Sequence, residues 1–122
     1  MAIHRHLRRA LAVPLVAALA ACALVPAEPA TVVAENLEFT PKVIQLPAGQ
    51  GFHLTLDNRD DEIPHGLSLQ TRTSGVEPDE LWTSQIQIGP TRAEYDLPAL
   101  AAGPYLLICP VHPNMQVEVN VG

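Results

Sequence analysis

Short segments in which apolar and polar residues alternate run along most of the chain. In GFHLTL, Phe52, Leu54 and Leu56 occupy every second position, and the three valines of QVEVNV follow the same rule. Side chains of a β-strand point alternately to opposite faces, so this period of two is typical of half-buried strands. No segment keeps the period of a helix through several turns.

Turn-forming residues divide the chain into eight such segments, because Pro, Gly, Asn or Asp stands at each boundary. The predicted strands are TVVAENLEF, KVIQL, GFHLTLDN, GLSLQ, SQIQIG, AEYDL, YLLIC and QVEVNV. Short strands without intervening helices predict an all-β fold, an antiparallel two-sheet β-sandwich with Greek-key connections.

The composition suits one small domain, predicted to occupy residues 31–122. The 122 residues are 48% hydrophobic, yet they include only two Phe, two Tyr and one Trp, beside twelve Pro and seven Gly. This length leaves no room for a second domain. The single tryptophan, Trp82, is expected to pack against the core or to cover one end of the sandwich.

The first residues carry the features of an export signal. Arg5, Arg8 and Arg9 precede the apolar stretch LAVPLVAALAA, which is too short to span a bilayer comfortably and is followed by small residues. This arrangement is typical of a secretory signal peptide, here predicted to be residues 1–21. A transmembrane anchor is the alternative.

The end of this signal, Leu19-Ala20-Ala21-Cys22, resembles the lipobox of bacterial lipoproteins. The resemblance implies that Cys22 carries the lipid and that residues 22–30 form a proline-containing linker. The protein is then expected to be exported and anchored to a membrane, facing the periplasm or another extracytoplasmic side. Ordinary cleavage at a small residue, which leaves a soluble protein, remains the alternative.

Removal of the signal makes the chain strongly acidic. All thirteen acidic residues lie at or beyond Glu28, whereas three of the seven basic residues lie in the signal. Four basic residues against thirteen acidic ones give a net charge of −9. That charge argues against binding nucleic acid or an anionic membrane surface, and favours solubility or docking to a basic partner.

The heptapeptide CPVHPNM, residues 109–115, concentrates the reactive side chains of the chain. Once the signal is removed and Cys22 is lipidated, Cys109 is the one free thiol and Met115 the one methionine. A free thiol in an oxidising compartment is protected when it is buried or bound to a metal. Cys109, His112 and Met115 recur every third residue, so a turn between adjacent strands can fold all three around one point.

A fourth ligand has to come from another segment, and two further histidines remain in the mature chain. His53 alternates with Phe52 and Leu54, so it is expected to face solvent. His65 opens a strand after a turn-rich segment and is the better candidate. Two imidazoles, one thiolate and a weak axial methionine form the ligand pattern of blue-copper sites.

Three other interpretations of the loop remain open at this stage. Cys109 and His112 could act as nucleophile and base, although the orienting group and oxyanion hole of a hydrolase are not evident. Zinc also accepts Cys and His, but a zinc site leaves Met115 without a purpose. The third interpretation is a structural loop with an inert buried thiol.

Three stretches of the chain resemble the cupredoxin family. CPVHPNM is similar to the Cys-x-x-His-x-x-Met loop of small cupredoxins such as amicyanin, and NRDDEIPHGLSL to their Asn-rich turn in which Pro-His opens a strand. LEFTPKVIQLPAGQGFHLTLDN resembles their N-terminal half. The resemblance implies an eight-stranded cupredoxin sandwich with one type 1 copper ion. The copper ligands would be His65, Cys109, His112 and Met115.

One departure from the family pattern lies beside these residues. Gly66 follows His65 where amicyanin and plastocyanin usually have Asn, whose side chain ties the two ligand loops together. Pro110 stands where amicyanin has the hydroxyl residue that serves as the partner of that Asn. Weaker orientation of His65 is expected from this pair of changes.

The resemblance implies a carrier of single electrons rather than an enzyme, with delivery of one copper ion to another protein as the alternative. His112 is the expected exit for the electron. The expected partner of this monomer is a c-type cytochrome or a membrane oxidoreductase. The acidic turn of residues 57–62 could steer a basic partner, although a solvated turn is the simpler interpretation. The surface around His112 is predicted to consist of Ile63, Pro64, Val111 and Pro113, and Leu67 is expected to widen it.

Overall fold

The computed structural model describes residues 29–122 of the chain. The predicted signal peptide and the predicted lipid-bearing Cys22 lie outside the described residues. The first strand begins at Ala30, the last residue of the predicted linker. Within residues 29–122, no helix is long and apolar enough to cross a membrane.

Strands account for all the regular secondary structure of the described residues. They are β1 (Ala30–Glu35), β2 (Glu38–Thr40), β3 (Val43–Leu46), β4 (Phe52–Asn58), β5 (Pro64–His65), β6 (Ser68–Thr71), β7 (Glu80–Thr83), β8 (Gln87–Ile88), β9 (Thr91–Leu97), β10 (Gly103–Ile108) and β11 (Gln116–Val121). One four-stranded sheet has the order β2-β1-β4-β9, and one five-stranded sheet has the order β3-β11-β10-β6-β7. The predicted all-β, two-sheet architecture is confirmed.

The core lies between the inner faces of the two main sheets. In β4, Leu54 and Leu56 are fully buried, and in β11, Val117 and Val119 are buried on the facing sheet. Phe39 of β2 is also fully buried. Each such side chain stabilises the fold by about 1.5–3 kcal/mol relative to an exposed position. The alternating apolar residues of the sequence are therefore those on the inner faces of the two sheets.

Two strand pairs are parallel, which corrects the antiparallel arrangement expected from the sequence. β1 pairs with β4 in parallel, and β3 pairs with β11 in parallel. The chain reverses direction between β1 and β2 and again between β3 and β4, so β4 runs in the same direction as β1. Between β2 and β3 the chain crosses to the other sheet, and β4 returns to the first sheet beside β1.

The predicted strand TVVAENLEF is in fact a hairpin. Asn36 and Leu37 have φ angles of 54° and 59°, and they separate β1 from β2. Two consecutive left-handed residues form the tight turn whose twist matches that of the flanking strands. Asn adopts this conformation readily, but Leu does not. The sequence did not predict this turn because leucine is not a residue expected at such a turn position.

The segment that follows β6 also differs from expectation. ELWT forms the edge strand β7, although its residues show no alternation because most of them are exposed. Of the predicted strand SQIQIG, only Gln87–Ile88 is a strand, and it pairs with β5. Trp82 of β7 packs against the core as expected, and its ring contacts that of Tyr95 with centroids 5.0 Å apart.

Two connections meet at one end of the sandwich. The β10–β11 hairpin closes at the pair Ile108 and Gln116, and Ile108 also pairs with Ser68 at the start of β6. His65 of β5 precedes Ser68 by three residues, so it lies at the same end as the heptapeptide. The fold therefore brings together two segments that are separated by more than forty residues.

Candidate metal centre

The heptapeptide forms a closed loop between β10 and β11. The backbone N–H of Cys109 donates to the carbonyl of Met115 at 3.0 Å, and the N–H of Met115 donates to the carbonyl of His112 at 2.9 Å. Pro110 and Pro113 fix their own φ angles within this loop. Cys109 and Met115 are 0% and 2% exposed. The loop thus holds a buried thiol and a buried thioether in a constrained backbone.

Two imidazole rings approach the buried thiol. Nδ1 of His65 and Nδ1 of His112 each lie 3.8 Å from Sγ of Cys109. The two ring centroids are 5.1 Å apart, and the ligand atoms of the three residues all lie within 4.8 Å of one another. His65 is completely buried, whereas His112 is only partly buried. The structure brings together the residues that the sequence singled out.

The donor chemistry of this group fits one copper ion. Zinc sites use thiolate, imidazole and carboxylate ligands, whereas a thioether is a soft ligand that suits Cu(I). His65, Cys109 and His112 supply two imidazoles and a thiolate, with Met115 buried in the same loop. The interpretation of a structural loop with surface histidines does not apply to His65, which is wholly buried.

Asp60 lies behind His65 and was missed by sequence reasoning. One oxygen of its carboxylate is 2.8 Å from Nε2 of His65, the ring nitrogen that faces away from Cys109. The same carboxylate accepts the backbone N–H groups of Asn36 at 2.6 Å and Leu37 at 3.1 Å. Asp60 is 8% exposed. The acidic turn is therefore not simply a solvated turn, because one of its acids is buried against a ligand histidine.

The surroundings of Asp60 keep its carboxylate ionised. Desolvation by burial raises the pKa of Asp60, but the hydrogen bonds from His65, Leu37 and Asn36 and the attraction to His65 lower it more. The net result is a pKa below the ordinary value of 3.8. Such hydrogen bonds favour the charged form of a carboxyl group over the neutral one. A buried negative charge consequently adjoins the candidate centre at neutral pH.

Asn58, the last residue of β4, holds the turn that carries Asp60. Its Nδ2 donates to the carbonyls of Ile63 at 2.9 Å and Gln87 at 3.1 Å. Its Oδ1 accepts the backbone N–H of Asp60 at 3.1 Å. Asn58 is 1% exposed, so these bonds are shielded from water. Asn58 therefore joins the turn that precedes His65 to Gln87 of β8.

The space beside Gly66 is filled by the β7–β8 connection. A Cβ atom on Gly66 would lie 2.8 Å from Cδ1 of Ile86 and 3.2 Å from Oγ of Ser84. Ser84 also bonds the backbone of Leu67 in both directions, at 2.9 Å and 2.8 Å. Glycine therefore permits this connection to pack against the strand that follows His65.

His53 lies away from the centre, as expected. It is part of β4, its ring is half-exposed, and its Nδ1 lies 2.8 Å from Oδ1 of Asp96. Nε2 of the same ring lies 3.9 Å from a carboxylate oxygen of Glu94. These partners are solvated side chains of the neighbouring strand β9, and the sequence-based expectation of a surface histidine is confirmed.

The residues that were predicted to surround His112 differ in their exposure. Val111 is 42% exposed, Ile63 and Pro64 are half-buried, and Pro113 is exposed. The small sheet of β5 and β8 places Ile88 opposite Pro64, and Ile88 is 59% exposed. Leu67, which was expected to widen this surface, is fully buried in the core and does not contribute to it.

Comparison with known proteins agrees with the fold. A family model described as a cupredoxin-like domain matches residues 9–121. No curated protein matches the chain. The fold is similar to that of a dithionite-reduced auracyanin from Roseiflexus castenholzii, with a TM-score of 0.67 and 17% identity over 80% of this chain and 99% of that one.

Two further structures share the fold. Auracyanin A from Chloroflexus aurantiacus has a TM-score of 0.65 and 22% identity, over 78% of this chain and 100% of that one. An amicyanin variant in its reduced Cu(I) form has a TM-score of 0.56 and 19% identity, over 81% of this chain and 87% of that one. The family model covers most of the sequence, and the chain belongs to the family of cupredoxin-like domains.

Proposed function

We propose that this chain is a mononuclear type 1 copper protein that carries single electrons between redox proteins. The observation that supports this function is the convergence of Cys109 with His65 and His112, whose ligand atoms lie within 4.8 Å of one another. Auracyanin A, which has the same fold, is described as a "blue" copper protein. When bound, copper supplies a one-electron couple between Cu(II) and Cu(I).

The ligand residues are held so that little has to move when an electron arrives. The loop hydrogen bonds fix the backbone of Cys109, and Asp60 bonds the ring of His65. Burial of Cys109 and His65 excludes water from these two side chains. A site that is already arranged for both oxidation states needs little reorganisation, and fast exchange follows.

The route for the electron is proposed to pass through His112. Among the three ligand residues brought together, His112 alone is not fully buried. Val111 and Pro113 flank it in the chain and are exposed, and the proposed contact surface adds Ile63 and Pro64, which precede His65. An apolar contact area of this kind allows a partner to approach closely, while its polar rim stays solvated.

Charge favours a basic partner, such as a c-type cytochrome or a membrane oxidoreductase. Among residues 29–122, three of the four basic side chains already pair with acids: Lys42 with Glu38, Arg59 with Asp57, and Arg72 with Glu118. Exposed pairs of this kind add little stability, but they leave most of the remaining surface charge negative. A negative surface accelerates encounter with a positive partner.

The protein is proposed to work outside the cytoplasm, held near a membrane through Cys22. This part of the proposal rests on the signal and lipobox pattern, since Cys22 lies outside the described residues. Two or more acyl chains give stable anchoring where one gives only marginal binding.

The first prediction concerns copper spectroscopy. Addition of Cu(II) to the purified protein is expected to give an intense thiolate-to-copper absorption band and a narrow copper hyperfine splitting in the paramagnetic-resonance spectrum. Cys109→Ser is expected to abolish both, because the thiolate is lost. His53→Ala serves as the matched control and is expected to retain both, since His53 lies outside the centre. A weak tetragonal copper signal that survives Cys109→Ser would instead favour copper delivery.

The second prediction concerns the surface beside His112. Val111→Asn is expected to slow the bimolecular electron-transfer rate with a basic c-type cytochrome by about tenfold, because a polar group disrupts the apolar contact. Stopped-flow absorbance measures that rate. Val76→Asn is the control, because Val76 is 60% exposed on the β6–β7 connection and the charge is unchanged. Equal rates for the two variants would place the contact surface elsewhere.

A further inference from the structure

The hydrogen bond between Asp60 and His65 determines which ring nitrogen of the histidine carries the proton. An ionised carboxylate can only accept hydrogen bonds, so Nε2 of His65 must be the donor across the 2.8 Å contact. In the neutral imidazole, Nδ1 is then left with a free lone pair. That nitrogen faces Sγ of Cys109 at 3.8 Å. The carboxylate thus selects the form of His65 that is ready to bind a metal ion.

We propose that Asp60 is a positioning residue of the copper centre, which fixes the ligand nitrogen of His65 and lowers the reduction potential of the bound copper. This inference rests on the proposed type 1 copper function. Its carboxylate is buried and lies on the far side of the imidazole from the centre. The negative charge favours the higher positive charge of Cu(II) over that of Cu(I), and a carboxylate partner also makes the imidazole a stronger donor.

Burial makes this charge more effective than a surface charge. Asp60 is 8% exposed, so little water lies between its carboxylate and the centre. Electrostatic interactions across a protein interior are stronger than across water, and salt screens them less. The acids on the exposed face of β9, by contrast, are solvated. The position of Asp60, more than the overall acidity of the chain, is expected to set the potential.

The β1–β2 turn holds the carboxylate in place. Oδ1 accepts the N–H of Asn36 and Oδ2 accepts the N–H of Leu37, while Oδ2 also accepts from His65. Both turn residues have left-handed φ angles, which aim successive N–H groups at one anion. Leu rarely adopts such a conformation, and the two charge-assisted hydrogen bonds offset its cost. The turn, the carboxylate and the ligand ring form one connected unit.

Asp60→Asn tests the proposal because it removes the negative charge at nearly unchanged size. The one amide oxygen of Asn can accept either from Asn36, in place of Oδ1, or from Leu37 and His65, in place of Oδ2, and the amide nitrogen cannot accept at the other position. The variant is expected to keep the visible copper band. Its reduction potential is expected to rise by at least the equivalent of a tenfold change in the relative affinities for Cu(II) and Cu(I), about 59 mV for a one-electron couple.

Asp96→Asn is the matched control. Asp96 contacts His53 at the same 2.8 Å, but that histidine is on the exposed face and binds no metal in the proposed site. Its substitution is expected to leave the potential unchanged. A purely structural role for Asp60 predicts a lower melting temperature for Asp60→Asn with an unchanged potential, and that result would overturn the inference.

The metal-free wild-type protein provides a test that needs no variant. Nitrogen-15 chemical shifts of the His65 ring are expected to show the proton on Nε2, and a proton on Nδ1 would contradict the proposal even if Asp60→Asn fails to fold. The proposed function is tested separately by the copper spectrum of the wild-type protein. A type 1 spectrum with an unaltered potential in the variant rejects only the role of Asp60. Absence of that spectrum rejects the copper function itself.

Discussion

Replacement of Gly89 by alanine is expected to lower the free energy of unfolding by about 3 kcal/mol. A Cβ atom at this position would overlap the carbonyl oxygen of Asp60 and lie 2.7 Å from Oδ1 of Asn58. The backbone cannot withdraw freely, because the N–H of Gly89 donates to Ile63 and its carbonyl accepts from Glu62, at 3.2 Å and 3.0 Å. The turn that carries the first histidine ligand would have to shift.

Urea unfolding of the metal-free protein measures this loss. Gly66→Ala is expected to cost less, because the nearest atom is the flexible terminal methyl group of Ile86. Gly122→Ala meets no atom within 4 Å and is the neutral control. An unfolding midpoint for Gly89→Ala equal to that of Gly122→Ala would mean that the close approach imposes no constraint. A loss of the expected size would be a large part of the stability of a small domain.

Replacement of Phe39 by alanine is expected to cost about 3–5 kcal/mol and to alter the copper centre as well. Phe39 is 0% exposed, and its ring meets the ring of His65 edge to face with centroids 6.3 Å apart. Removing the ring leaves a cavity and removes one wall that fixes the imidazole. We therefore expect both a lower urea midpoint and a broader distribution of copper hyperfine splittings.

Phe52→Ala separates these two effects. Phe52 is a buried residue at the opposite end of β4 from Asn58, far from the ligand loops. Its replacement is expected to lower stability by a similar mechanism while leaving the paramagnetic-resonance spectrum of the copper form unchanged. If both variants broaden the spectrum equally, the effect comes from general loosening of the core and not from the contact between Phe39 and His65.

The strands that the sequence predicted well are those with one buried face. The alternation in β4 and β11 reports directly on burial, and the buried valines and leucines of these strands are those of the pattern. β7 was missed because, in an edge strand with mostly exposed residues, buried and exposed positions do not alternate. The parallel pairs were missed because the order of strands depends on contacts between distant segments.

Some residues of the candidate centre were likewise predictable from the sequence, and others were not. Cys109, His112 and Met115 were recognisable because a loop between adjacent strands brings residues three apart to one side. His65 was identified by its place before a strand and by elimination of His53. Asp60 had no comparable signal, because an aspartate in an acidic turn looks solvated. Its partners Asn36 and Leu37 precede it by 24 and 23 residues.

Local sequence therefore determined the strand period, the loop ligands and the family, since each depends on residues that are close along the chain. Tertiary structure decided the burial of Asp60, the close approach at Gly89 and the direction of the strand pairs. The first two of these features arise where the β1–β2 turn, the end of β4 and the β8–β9 connection meet. Contacts among three separate segments follow from how the sheets pack, and no pattern within one segment encodes them.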